Sequence, residues 1–276
     1  MPDEQLEVVP NRSCLYDGAL GYIEEIYDRV EPEISDVLTL RRLNGDQKLR
    51  ILEVFCGHGR ILLPLAQDGH TVTGIDLSPT FLGVLEQRVA RLPEAIRRNI
   101  TLIRGDAVAG NYPTGFDVVI LGGNCLYELG TSEDQKACIR NASQALKPGG
   151  HLWLDCDHQE GELKKSWQSA GEINSNAFPS GVCADGAVVK SESETIWFDA
   201  EKRLVRARRK TVVEKDGRVL HEQEFIVQTH PPSVVEMRQW LETNGCVVIS
   251  LWDDHANQIP HTDESGRATF WARKKD

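Results

Sequence analysis

Residues 51–60 read Ile-Leu-Glu-Val-Phe-Cys-Gly-His-Gly-Arg. The run Arg50–Phe55 has the apolar content of a buried strand. Gly59–Gln67 then places Ile61, Leu62, Leu63, Leu65 and Ala66 on a broad apolar helix face. Between them, Gly57 and Gly59 let the backbone turn tightly and approach a ligand closely. The helix start offers free N–H groups beside that turn. In an open parallel sheet, the crevice beyond such a turn is where ligands bind.

The same alternation continues outward from this unit. Thr71–Ile75 is a second strand, and Ser78-Pro79 caps and opens a helix running to about Leu92. Ile100–Ile103 and Phe116–Leu121 are strands three and four. Ser132–Leu146 is a helix stopped by Lys147-Pro148-Gly149-Gly150, and His151–Asp155 is strand five. Strands alternating with helices predict a parallel sheet covered on both faces. Past residue 160 the pattern changes to period two. Val188–Phe198, Leu204–Glu214 and Val219–Thr229 alternate apolar and polar residues around turns at Asp199–Lys202 and Lys215-Asp216-Gly217. This is an antiparallel β-meander. A helix from about Pro232 to Asn244 and strands Cys246–Leu251 and Ala268–Arg273 complete the chain. Leu15–Leu43 reads as two helices broken near Glu31-Pro32.

The expected fold is therefore α/β, a Rossmann-like seven-stranded, mostly parallel sheet with helices on both faces, carrying a small meander insertion. The expected organisation is an N-terminal helical segment at 1–45, a core at 46–160 and 231–276, and the inserted meander at 161–230.

The net charge of −11 disfavours phosphate backbones and anionic lipid surfaces as partners. Seven scattered cysteines without a CxxC pair fit reduced thiols in a cytoplasmic protein and offer no zinc site. The acidic N-terminus carries no signal-like apolar run, and no stretch approaches membrane-spanning length. The expectation is no metal, no nucleic acid and no membrane.

Three turns at strand ends carry the chemistry. The first is Glu53–Arg60. A dinucleotide fingerprint needs a third glycine where Leu62 stands, and Glu53 would sit near phosphate. That carboxylate suits a cationic ligand such as the ammonium of a methionine moiety. The second is Gly74-Ile75-Asp76, which ends 19 residues beyond Gly57 and offers a carboxylate to ribose hydroxyls. The third is Gly105-Asp106-Ala107, where Asp106 could accept from an adenine amino group. Each also has a plain reading: a tight turn, a helix cap or a loop carboxylate.

Together these turns resemble the class I S-adenosylmethionine-dependent methyltransferases. Glu53–Gly59 resembles the glycine-rich first motif, Gly74–Asp76 the ribose-binding acid and Gly105–Asp106 the adenine-binding acid. Phe116–Asn124 and Leu146–Gly150 (LKPGG) resemble the family's fourth-strand motif and the turn before strand five. Many members have glycine where Phe55 stands. The resemblance implies S-adenosylmethionine as cofactor, leaving S-adenosylhomocysteine as product. The cofactor would be held by Tyr16, Glu53, Phe55, Gly57, Gly59, Arg60, Asp76, Leu77, Gly105, Asp106, Ala107, Gly122 and Asn124. Tyr22 and Tyr27 are further N-terminal aromatics that could fold over the cofactor or form a packed helix face.

Within the family the pattern is closest to small-molecule N-methyltransferases of the glycine N-methyltransferase type. The arginine that follows an Asp-His pair there is Gln159 here, after Asp157-His158, so glycine is not the expected acceptor. The expected reaction is in-line methyl transfer to a small molecule, an amine first and a phenol or carboxylate oxygen second. His158, as the base, and Tyr127 are the candidate catalytic residues, and Tyr127 and Glu128 could line the acceptor pocket. His230, His255 and His261 rank below His158. The alternatives are a cofactor-binding protein without turnover and a nucleotide-cofactor oxidoreductase. The meander would roof the acceptor pocket, pair two chains into a homodimer, or both. Its basic residues Arg206, Arg208 and Lys210 share one strand face and read as a solvated surface.

Overall fold

The computed structural model describes residues 21–23, 25–26, 34–161, 163, 169–171, 173–175, 177 and 179–276. Tyr16, Tyr27 and the expected break near Glu31-Pro32 lie outside these residues. The chain divides into two units. One comprises Glu33–Glu128, Ser132–Glu160 and Pro232–Asp276. The other gathers Gly161–Pro231 with Leu129–Thr131 and the described residues of Met1–Pro32.

In the first unit the elements are α1 (Ser35–Asn44), β1 (Arg50–Val54), α2 (Leu62–Gln67), β2 (Thr71–Asp76), α3 (Pro79–Ala90), α4 (Glu94–Arg97), β3 (Ile100–Arg104) and β4 (Phe116–Leu121). A 3₁₀ turn at Cys125–Glu128, α5 (Ser132–Ala145) and β5 (Leu146–Asp157) follow. Strands β1 to β5 pair in parallel in the order 5-4-1-2-3. Two helices open as read: Ser78 Oγ accepts from the Phe81 N–H at the head of α3, and α5 begins at Ser132.

The Lys147–Gly150 stretch does not stop the chain before strand five. It is the bulged entry to β5 itself, where the register against β4 shifts and Gly149 takes φ +72°. The helix expected from Gly59 starts only at Leu62, because the turn occupies the residues before it.

The C-terminal part adds α6 (Val234–Thr243), capped by a reciprocal Ser233–Glu236 box, then strands Cys246–Asp254, Ile259–Pro260 and Arg267–Lys274. The Arg267–Lys274 strand runs antiparallel between β5 and Cys246–Asp254. The two-residue strand Ile259–Pro260 adds an eighth, edge member that the sequence does not announce. Its core packs Trp153, Leu62, Leu65, Leu85, Ile51, Ile120 and their neighbours, all nearly inaccessible.

The second unit is the meander. Val188–Asp199, Leu204–Lys215 and Arg218–Thr229 form a three-stranded antiparallel ladder at almost the residues expected. Asp216 and Gly217 both take positive φ, which fits the primed turn that joins a tight hairpin. Short strands Ile173–Asn174 and Gly181–Val182 pair with the first long strand. Ile23, Ile26, Val189, Val213 and Cys183 form this unit's own core, with Tyr22 packed against it. The basic face is neutralised across strands. Arg208 meets Glu194 and Glu224, Lys210 meets Glu222, and Arg206 lies 4.3 Å over the Trp197 ring.

Candidate active site

The carboxyl ends of the parallel strands gather the sequence-predicted turns. At the end of β1, Phe55 takes φ +61° and Gly57 takes φ +49°. A side chain in the left-handed region costs about 1–2 kcal/mol. Phe55 thus stands where the backbone itself favours glycine, which is the physical content of its departure from the family pattern. A Cβ built on Gly57 would meet nothing within 4 Å, so the turn has open space above it. A Cβ on Gly59 would come 2.5 Å from Leu85 Cδ1, so that glycine lets the turn pack onto α3.

Asp76 ends β2 and closes this turn. Its Oδ2 accepts from the Gly57 N–H at 2.8 Å and its Oδ1 from the Ser78 N–H at 2.9 Å, while the Leu77 N–H also faces it. Burial pushes its carboxyl up, and those backbone donors oppose the push. Each oxygen keeps a lone pair for a further donor. The Gly105 N–H donates to the Asp76 carbonyl, joining the second and third turns. Asp106 Oδ1 accepts from the Val108 N–H at 2.8 Å, and the Ala107 carbonyl is held by Tyr112 and Asn141. A Cβ on Gly122 would meet Ile61 Cδ1 at 2.8 Å, so it packs β4 against the first turn. Asn124, at φ +63°, is clamped to β5. Its Nδ2 donates to Asp157 Oδ2 at 3.0 Å, and the Asp157 N–H donates to its Oδ1 at 2.8 Å. Tyr127 sits half-buried on the 3₁₀ turn.

The charge arrangement holds a group the sequence did not single out. Asp36, buried on α1, forms an ion pair with Arg60 at 2.8 Å. Asp36 had no local signal, since its partner is 24 residues away across a strand. Glu53 is buried at 6% exposure, and its Oε2 has no hydrogen-bond partner among the described residues. Burial drives its carboxyl well above the usual range. Arg60 opposes that, and Asp36 and Asp76 reinforce it. Unsatisfied buried polar atoms are rare, and one at a ligand edge calls for a partner.

His158 follows directly on β5, but it is not open to the site. It is 5% exposed, with Nδ1 3.1 Å from Glu160 Oε1 and Nε2 2.9 Å from His261 Nε2. Burial lowers its pKa, against the pull of Glu160. His255 stands between Ser35 and Thr269, edge-on to Trp153 at 5.1 Å. His230 lies in the other unit. Among the described residues, no cluster of three or more His, Cys, Asp or Glu could hold a metal, and no helix is long and apolar enough to cross a membrane.

Residues 51–150 match the family model described as a methyltransferase domain. A cypemycin N-terminal methyltransferase from Streptomyces is 28% identical over 164 residues, covering 57% of this chain and 62% of that protein. A ubiquinone biosynthesis O-methyltransferase from Idiomarina loihiensis is 32% identical over 118 residues, covering 43% of this chain and 45% of that protein. The chain thus spans less than two thirds of the length of these relatives. The amino pentose methyltransferase CalS10 from Micromonospora echinaspora superposes with a TM-score of 0.63 at 20% identity, covering 95% of this chain and 97% of that one. That likeness is one of fold. Residues 51–150, which hold the glycine-rich turn, thus resemble a methyltransferase domain, and the chain shares its fold with solved methyltransferases.

Proposed function

We propose that the chain binds S-adenosylmethionine at the ends of β1 to β4 and transfers its methyl group to the amine of a small molecule. The carrying observation is Glu53, whose buried Oε2 lacks a partner among the described residues beside the open turn at Gly57. An ammonium there would supply the missing donor and offset the cost of the buried charge. Asp76 would take the ribose hydroxyls, and Asp106 the adenine amino group. Gly57, Gly59, Leu77, Gly105 and Ala107 shape the backbone around them, and Arg60, Phe55, Gly122 and Asn124 frame the methionine end.

When bound, the cofactor supplies an activated methyl on a sulfonium. The chain's own task is to align the acceptor, exclude water and hold a proton acceptor near it. An amine acceptor is supported by the two relatives whose names place their methyl on an amine or an amino sugar. Similarity to an O-methyltransferase supports an oxygen acceptor as the second reading. The meander unit would pair two chains. A cytoplasmic location is supported by the seven scattered cysteines, none in a CxxC pair.

Calorimetry with S-adenosylmethionine, then incubation of a primary-amine panel with labelled methyl donor, tests this. Labelled amine is the expected result. Binding without transfer to any amine or phenol would leave a cofactor-binding protein, and binding of NAD instead would overturn the proposal.

Glu53 gives this binding a pH sign. Its carboxyl is raised in the free chain and must ionise to receive an ammonium, so binding releases a proton. Affinity should therefore rise with pH until Glu53 is ionised in the free chain, then flatten. Calorimetry in buffers of different ionisation enthalpy should show the release. Glu53→Gln should abolish it and weaken binding about tenfold, the low end for a charge-assisted hydrogen bond. An unchanged buffer dependence would remove Glu53 from the ammonium site.

A further inference from the structure

Methylating an ammonium group requires it to lose one proton, because only the free amine has the lone pair that attacks. The carbon–nitrogen bond forms as the carbon–sulfur bond breaks, with that bond's electron pair staying on sulfur. One proton leaves for solvent. His158 has neither ring nitrogen free to take it, as both face other side chains. The residue in contact with His158 is a different matter.

His261 lies in the stretch between the strands Ile259–Pro260 and Arg267–Lys274, and its ring centroid is 4.9 Å from that of His158. Its N–H donates to the Leu251 carbonyl, which anchors the segment. It is half-buried, whereas His158 is buried. Behind them, Glu160 Oε1 accepts from the Val234 N–H at 2.6 Å, at the head of α6. The His158 N–H donates to the Gly266 carbonyl, so the pair is tied to β5, α6 and the Arg267–Lys274 strand at once. The preceding residue, Asp157, is clamped to Asn124 on the loop beyond β4. The pair is therefore one residue from the contact that joins the fourth and fifth strand ends, where an acceptor would stand.

The tautomers follow from the contacts. The Glu160 carboxylate faces His158 Nδ1, off the line of a straight hydrogen bond but at 3.1 Å, and favours the proton on that nitrogen. A buried histidine with a lowered pKa is neutral, so its Nε2 then carries a lone pair. The 2.9 Å Nε2–Nε2 contact needs one proton between the rings, and His261 must supply it. His261 Nδ1 is left as the unprotonated nitrogen. The charged groups bearing on His158 are Glu160 and Asp157, with His261 the imidazole beside it.

We infer that Glu160, His158 and His261 form a proton-accepting chain in which His261 Nδ1 takes the acceptor's proton and His158 and Glu160 fix its tautomer. The inference rests on the methyltransferase reading above. His261 is the catalytic group, and His158 and Glu160 are positioning residues. The imidazolium formed at His261 is half-exposed and can pass its proton to water.

Long-range proton–nitrogen NMR of the ¹⁵N-histidine-labelled chain should show neutral His158 protonated at Nδ1 and neutral His261 protonated at Nε2. In Glu160→Gln the His158 preference should weaken. With a primary amine from the panel, His261→Asn should lower kcat about 100-fold near neutral pH, as expected for loss of a general base. Its calorimetric affinity for S-adenosylmethionine should not change. The variant should also lose the fall in kcat that accompanies imidazole protonation in the wild-type chain. Wild-type kcat and pH profile in His261→Asn would overturn the inference, as would His261 protonated at Nδ1 in its neutral form or a cationic His158 at neutral pH. A wild-type chain that methylates no amine would overturn the functional reading, and the NMR spectra would then decide the chain by themselves.

Discussion

Trp153→Ala is expected to destabilise the sheet-bearing unit by about 3–5 kcal/mol, the usual cost of truncating a fully buried aromatic. Trp153 is at 0% exposure in the middle of β5. It packs 6.4 Å from the Trp252 ring and edge-on to His255. It joins the two ends of the eight-stranded sheet, because its strand has a parallel neighbour, β4, on one side and the antiparallel Arg267–Lys274 strand on the other. Losing it opens a cavity at the seam, and neighbours fixed in a sheet cannot collapse into it. Trp153→Phe should cost far less. It keeps most of the apolar contact and also removes an indole N–H that is buried without a partner among the described residues. Denaturant unfolding followed by far-UV circular dichroism measures both. An alanine variant within about 1 kcal/mol of the parent would show that this seam is not where the core is held.

Asp76→Ala should weaken S-adenosylmethionine by about 10- to 150-fold, corresponding to about 1.5–3 kcal/mol for charge-assisted hydrogen bonds. Two losses combine. The ribose hydroxyls lose their acceptor, and the Gly57 and Ser78 N–H groups lose the carboxylate that closes the turn. Asp76→Asn separates them, because its amide oxygen can still accept one of those N–H bonds. An Asn variant that binds as weakly as alanine points to the ribose as the main loss. Recovery to near-parental affinity points to the turn. Unchanged affinity in the alanine variant would take Asp76 out of the cofactor site.

Much of the architecture was legible because it is written in short-range patterns. Period-two alternation in Val188–Thr229 marked all three long strands to within one residue at every end. Asp216-Gly217 marked the hairpin. Ser78-Pro79 and Ser132 marked helix starts. The Gly57–Gly59 turn is local as well, since two positive φ angles within three residues leave few alternatives to glycine. The edge strand Ile259–Pro260 and the two-residue strands of the meander unit went unread because they are too short to carry a period.

The site divides along the same line. From the sequence alone came the chemistry at each strand end: a carboxylate near the end of β1, another as the last residue of β2 and a glycine-aspartate turn after β3. These follow from position within a repeating strand–helix unit. Only the tertiary structure decided which side chains meet. Asp36 reached Arg60, Asp155 paired with Arg267 and Thr269 more than a hundred residues away, and His261 took the outer place beside His158. No spacing along the chain encodes such pairs, because their separation depends on which strands become neighbours and in what register. The antiparallel Arg267–Lys274 strand, inserted beside β5, brings residues 155–158 against 266–269, and the segment just before it sets His261 on His158. That placement buries His158 against His261.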